Sequence, residues 1–267
     1  MPKLSINEMT TYRWSFDEDV LHYRELGIEG MGVWRWKIAQ FGEERGVELL
    51  RESGLNVSNL SWGGGFTGAD GRTYKESVED AIDGLHLAAD LGAEVFVVVS
   101  GPRGGHTYNH ARDLLIDALW ELVPVARQCG VAIGLEPMHP MYARAWTFLV
   151  SLDDAMRVLD TVGEPELGLV FDIYHLWQEK GLLERIPVIA PQVRIIQLAD
   201  WHEPPRSEND RVMPGNGVIP LKQVVQAFQQ AGYDGYYDLE LLSEELWRGD
   251  YLQLIRTCRQ SFAQLCE

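Results

Sequence analysis

The chain has 267 residues, 46% of them hydrophobic, enough to bury a sizeable core and to fill one large α/β domain. Its formal charge of −17 excludes a nucleic-acid partner and disfavours anionic membranes, because both demand a basic surface. No apolar stretch approaches the roughly 18–20 residues of a membrane span, and the N-terminal MPKLSINEMT carries no signal-peptide pattern.

Short apolar runs and helical stripes alternate along the whole chain. The first runs are Leu4–Met9, Gly30–Trp34 and Asn56–Trp62, the third leading into Gly63-Gly64-Gly65, a sign of close backbone approach or of a mobile turn. Val78, Ile82, Leu85 and Ala89 then mark one face of a helix ahead of the fourth run, Glu94–Ser100. Leu115, Leu119, Leu122 and Ala126 mark the next helix, on which Trp120 is expected in the core. The fifth, sixth and seventh runs are Val131–Glu136, Leu167–Asp172 and Val193–Gln197. A helix through Leu221, Val224, Val225 and Phe228 stops at Gly232, before the eighth run, Tyr236–Glu240. The last stripe is Leu252, Ile255, Cys258, Phe262 and Leu265.

These runs start roughly every 33 residues, close to the ~30 of a strand and its returning helix, and no linker interrupts them. Eight such units predict a single (β/α)8 TIM barrel spanning residues 1–267. An open doubly wound sheet is the alternative, but no glycine-rich phosphate loop follows the first strand. Cys129, Cys258 and Cys266 have neither zinc nor redox spacing. Cys129 and Cys258 fall on apolar stripes, so buried thiols and a reducing, cytoplasmic compartment are expected.

Alternate residues of a barrel strand face the interior. On the fifth strand Ala132, Gly134 and Glu136 share the small face, which suits the crowded axis, while Val131, Ile133 and Leu135 suit the helix layer. On the sixth, Gly168, Val170 and Asp172 face inward. Gln197 shares a face with Val193 and Ile195, and Glu240 with Tyr236 and Asp238. Four adjacent strands therefore end in inward oxygen donors: Glu136, Asp172, Gln197 and Glu240. One polar strand end is commonly just solvated. Three carboxylates converging on a small space cannot all ionise without a compensating cation, so one divalent metal ion is predicted there. An all-oxygen shell favours Mn²⁺ or Mg²⁺, with Zn²⁺ or Co²⁺ as alternatives.

The segments GLEPMHPMYA, GLVFDIYHLW, IIQLAD, ENDRVMPGNGVIPL and YYDLELL together resemble the xylose isomerase-like sugar isomerase/epimerase superfamily, over essentially the whole chain. The resemblance implies a mononuclear site on Glu136, Asp172, Gln197 and Glu240, with His175 and Arg211 touching substrate. Most members have His where Gln197 stands; the IQLAD form resembles the hydroxypyruvate isomerase branch, whereas EPMHPMY and DRVMPGNGVIPL resemble the inosose isomerase-like branch. The superfamily also contains a trinuclear zinc endonuclease. That activity needs histidines absent at Gln197 and after Asp210, and the charge of −17 opposes DNA.

The chemistry implied is proton transfer α to a carbonyl of a small polyhydroxy compound, a keto-sugar or inosose. Metal would stabilise the enediolate while Glu136 and Glu240 act as catalytic base and acid from opposite sides. His175, Arg211, Trp62, Trp177 and His139 are the expected substrate contacts, with Arg144 a weaker one. Each has an ordinary alternative: a rim histidine, a surface ion pair, a packing tryptophan. A metal-dependent dehydratase of a keto-inositol or dehydroshikimate-like acid would use the same groups. A non-catalytic sugar-binding barrel is the alternative from another class. Barrels of this kind often form homodimers, but no segment marks an interface.

Overall fold

The computed structural model describes residues 2–267. Eight parallel strands close into a barrel: β1 (Lys3–Asn7), β2 (Gly30–Trp34), β3 (Asn56–Gly64), β4 (Val95–Val99), β5 (Ala132–Glu136), β6 (Leu167–Asp172), β7 (Val193–Leu198) and, last in the ring, β10 (Tyr236–Leu239). The barrel closes because β1 pairs with both β2 and β10, bringing Ser5 beside Gly30 and beside Asp238. Between β7 and β10 the chain makes a two-stranded antiparallel ribbon, β8 (Asp200–Trp201) with β9 (Arg211–Val212), where the sequence predicts only loop.

Helices follow the strands and form the outer layer, and many begin at a predicted type of cap. Thr73 caps the helix Tyr74–Leu91 with a capping box to Glu76, and Thr107 caps Tyr108–Cys129. The alternation expected of the strands holds. Val95, Val97, Val170, Ile195 and Tyr236 form a separate cluster inside the barrel, while Ile133, Leu135, Leu169 and Phe171 belong to the larger core beneath the helices. Gly134 is small because it faces the axis: a Cβ there would lie 2.6 Å from Val170 and 2.8 Å from Val95.

Two expectations about individual side chains are corrected. Trp120 is half exposed on the outer face of its helix, since one tryptophan beside a hydrophobic stripe need not point along it. Cys258 is buried, but Cys129 is only partly covered, near the end of its helix. Gly64 marks a close approach: at φ +129, a Cβ would sit 1.9 Å from the Val99 carbonyl oxygen. No helix among the described residues is long and apolar enough to cross a membrane.

Candidate active site

The carboxyl ends of β5, β6, β7 and β10 gather Glu136, Asp172, Gln197 and Glu240, all at most 6% exposed. Asp172 and Gln197 are register partners, and Gln197 is also the partner of Asp238. Local chemistry fixes the sixth strand's contribution. Asp172 Oδ1 accepts the Tyr174 amide at 2.8 Å and so caps the turn Ile173–Leu176. That turn brings His175 back over the strand end, its Nε2 3.5 Å from Asp172 Oδ2 and 3.7 Å from Glu136 Oε1. Glu136, Asp172 and His175 each offer a ligand atom within 4.8 Å of the others.

Arg211 enters from β9 and is 4% exposed. Its guanidinium lies 2.8 Å from Asp172 Oδ2 and 3.1 Å from Glu240 Oε2, donates to the Glu240 carbonyl at 3.1 Å, and stacks over Tyr174. The loop that carries it is wound around Asp200, whose carboxylate accepts the amides of Gly215, Gly217 and Ile219. Gly217 has to be glycine, because a Cβ would come within 2.3 Å of Asp200 Oδ1. Asp200 was not among the residues singled out from sequence; its partners are amides 15 to 19 residues away.

The electrostatics follow from burial. Burial pushes Glu136 well above the usual carboxylate range, and Glu240 and Asp172 add to the rise. Burial likewise raises Glu240 to about 8, although Arg211 opposes it. Asp172 is raised in the same way. Burial and the nearby Arg211 hold His175 well below its ordinary value, so its imidazole is neutral. Asp238 is different in kind: Ser5, Asn7 and Asn59 donate to it at 2.6 to 2.9 Å, which fixes it as part of the barrel floor.

Two buried acceptors in this cluster, Asp172 Oδ2 and Gln197 Oε1, receive no hydrogen bond. Arg211 is close to the first, but is not aligned to donate to it. Orphaned oxygens among crowded carboxylates fit a hard divalent cation, which gains most from oxygen donors that nothing else satisfies.

Above the cluster opens a cavity. Glu136, His175, Arg211 and Glu240 line it together with Trp34, Trp62 and Trp146. Of the contacts expected from sequence, His175, Arg211 and Trp62 reach this cavity. Trp177 and His139 do not line it. Trp177, in the turn after β6, packs against Trp201, and His139, in the loop after β5, rests on Trp201 and on Gln178, so both rings are turned toward the β8–β9 ribbon. Trp146 went unrecognised, since nothing in its spacing separates it from a packing residue. Trp34 closes the second strand run, and its indole donates to Asn7 Oδ1 at 2.8 Å.

A family description, xylose isomerase-like TIM barrel, matches residues 21–260. The chain belongs to that family. Among its relatives is an inosose isomerase of Halalkalibacterium halodurans, 26% identical over 156 residues, 56% of this chain and 53% of the relative. The match thus spans about half the length of that protein. A fructoselysine 3-epimerase of Escherichia coli O157:H7 is 23% identical over 82% of each chain. Protein SMc04130 of Sinorhizobium meliloti 1021 superimposes with a TM-score of 0.93 at 29% identity, covering 99% of this chain and 98% of its own. The IOLI protein with a bound zinc atom superimposes at 0.86 and 21% identity, covering 98% and 97%, a likeness of fold.

Proposed function

We propose that this chain is an isomerase or epimerase of a keto-sugar or inosose, working with one divalent metal ion held by Glu136, Asp172, Gln197 and Glu240. The observation that carries this reading is the convergence of three buried carboxylates and two unsatisfied oxygens under one tryptophan-walled cavity. The inosose isomerases and fructoselysine 3-epimerases among the relatives support it. The ion, when bound, draws electron density from the substrate carbonyl and so acidifies the neighbouring C–H.

The chain's own groups do the rest. Glu136 and Glu240 stand on strands three places apart in the ring, so they reach the substrate from different sides. One takes the proton and the other returns it; return to the same carbon epimerises, and return to the neighbouring carbon isomerises. A carboxyl raised toward neutrality, as Glu240 is, can hold or release a proton at modest cost. Arg211 offers donors where negative charge develops on oxygen, and it also donates to Nε2 of the neutral His175 at 3.3 Å. Trp34, Trp62 and Trp146 present flat walls to the apolar face of a sugar and exclude water.

The charges lining the cavity also select the reacting group. Glu136, Glu208 and Glu240 around the cavity, with Asp172 beneath it, against Arg211 and a divalent ion leave no surplus positive charge for a phosphate, so the sugar portion is neutral. The test is incubation in D₂O with Mg²⁺ over a panel of ketoses and inososes, read by NMR. Deuterium is expected at a carbon beside the carbonyl, with Glu136→Gln and Glu240→Gln each slowing its entry by roughly 10²–10⁴-fold. Native rates in both variants would remove the assignment.

A further inference from the structure

The cavity does not end at its tryptophan wall. Trp62 and Trp146, edge to face with centroids 5.5 Å apart, line a second compartment on their far side, together with Val99, which also lines both. The rest of that compartment is small and mostly apolar, Gly65, Ala69, Gly101, Pro102 and Ala145, and its one carboxylate, Asp70, is paired with Arg72 at 2.7 Å. Its floor is backbone, since Gly101 lies so close to Gly65 that a Cβ would come within 2.7 Å of the Gly65 Cα.

Ala69 and Pro102 in turn line a third compartment, whose walls include Arg103 and Arg144. Arg157 is held by Asp154, but Arg103 and Arg144 form no ion pair among the described residues. Two uncommitted arginines facing one groove are notable in a chain of charge −17, where carboxylates are abundant.

The three compartments run across the loops after β3, β4 and β5, on the face where barrel enzymes build their sites. Those loops are laced together. Thr67 donates to the Pro102 carbonyl at 2.6 Å, Phe148 N donates to the Gly101 carbonyl at 2.9 Å, and Arg72 ties Gly64 O to Asp80. The groove is therefore preformed, which lowers the entropic cost of filling it.

We infer that the substrate is a conjugate: a neutral sugar in the inner cavity, a flat or apolar spacer against Trp62 and Trp146, and an anionic group, carboxylate or phosphate, at Arg103 and Arg144. This rests on the sugar reading of the inner cavity and adds to it. The inner cavity has no spare cation, so the anion belongs at the far end.

The test uses the full chain with Mg²⁺ and three ketoses that share one sugar: 6-O-methyl, 6-O-phenyl and 6-O-(4-carboxyphenyl) fructose, titrated by calorimetry. The phenyl ether is expected to bind about tenfold tighter than the methyl ether, equivalent to about 1.4 kcal/mol. The carboxylate should add roughly fivefold more, a gain that shrinks with added salt. Ala145→Leu, filling the middle compartment, should collapse the phenyl-to-methyl ratio. Arg103→Ala combined with Arg144→Ala should abolish only the carboxylate's gain, and both exposed positions tolerate the change. Equal binding of the three ketoses, or ratios unmoved in the variants, overturns the inference while leaving a sugar site. Absence of binding by all three overturns the sugar reading as well. Phosphate in place of the carboxylate, compared in the same way, separates the two anions.

Discussion

Arg211 is the residue on which the carboxylate cluster depends. It bridges Asp172 and Glu240, both expected cation ligands, and so supplies positive charge where the site is most crowded. From sequence it was expected to touch substrate; in the fold its guanidinium is turned to the carboxylates. Removing it strands two buried charges. Arg211→Met should destabilise the chelator-treated protein by about 3 kcal/mol, within the range for breaking one side of a buried pair. Added Mn²⁺ should then raise the thermal midpoint of the variant more than that of the native chain. A midpoint unchanged by the substitution in scanning fluorimetry would contradict this. Glu136 and Asp172 were legible as inward-facing because each closes a strand whose inner positions are small or β-branched. Trp177 and His139 were misassigned to the cavity for a plain reason: both lie beyond a strand end, where alternation no longer says which way a side chain turns.

Among the elements, the helix Tyr74–Leu91 meets β3 and β4 through one buried ring. Phe96 is pressed between Gly63 and Gly84, and a Cβ at either would lie 2.5 to 2.6 Å from it. An alanine in a helix interior ordinarily stabilises by up to about 1 kcal/mol over glycine. Here overpacking should win, and Gly84→Ala should cost about 1–3 kcal/mol in urea unfolding. Combining it with Phe96→Leu should recover part of that loss, whereas additive losses would show that the two positions do not touch. The eight barrel strands could be read from sequence because each is a contiguous run with its own alternation. The β8–β9 ribbon could not. Its strands are two residues long, and they exist because Asp200 gathers amides from a later loop. A buried ion pair of Lys37 with Asp19 was equally hidden, since its partners come from separate helices.

At the scale of the molecule, the barrel concentrates negative charge at its mouth, and this gives stability a pH dependence. The folded values of Glu136 and Glu240 lie above their unfolded values. Their contribution is therefore fully present below about pH 4.5 and is lost as pH rises, for Glu240 through about 8. With chelator present, the unfolding midpoint should fall between pH 5 and 8.5. A divalent ion should flatten that slope, and Glu240→Gln should remove its own share. A flat profile in chelator would mean that these carboxyls are already compensated.

Sequence alone determined the barrel, the inward set of Glu136, Asp172, Gln197 and Glu240, and the family resemblance, because strand alternation and repeat length are local properties. Tertiary structure decided what faces that set: Arg211 across two carboxylates, three tryptophans from separate segments, and a groove leading on to Arg103 and Arg144. Those contacts join segments distant along the chain. Their geometry depends on how the loops pack, and no periodicity records that.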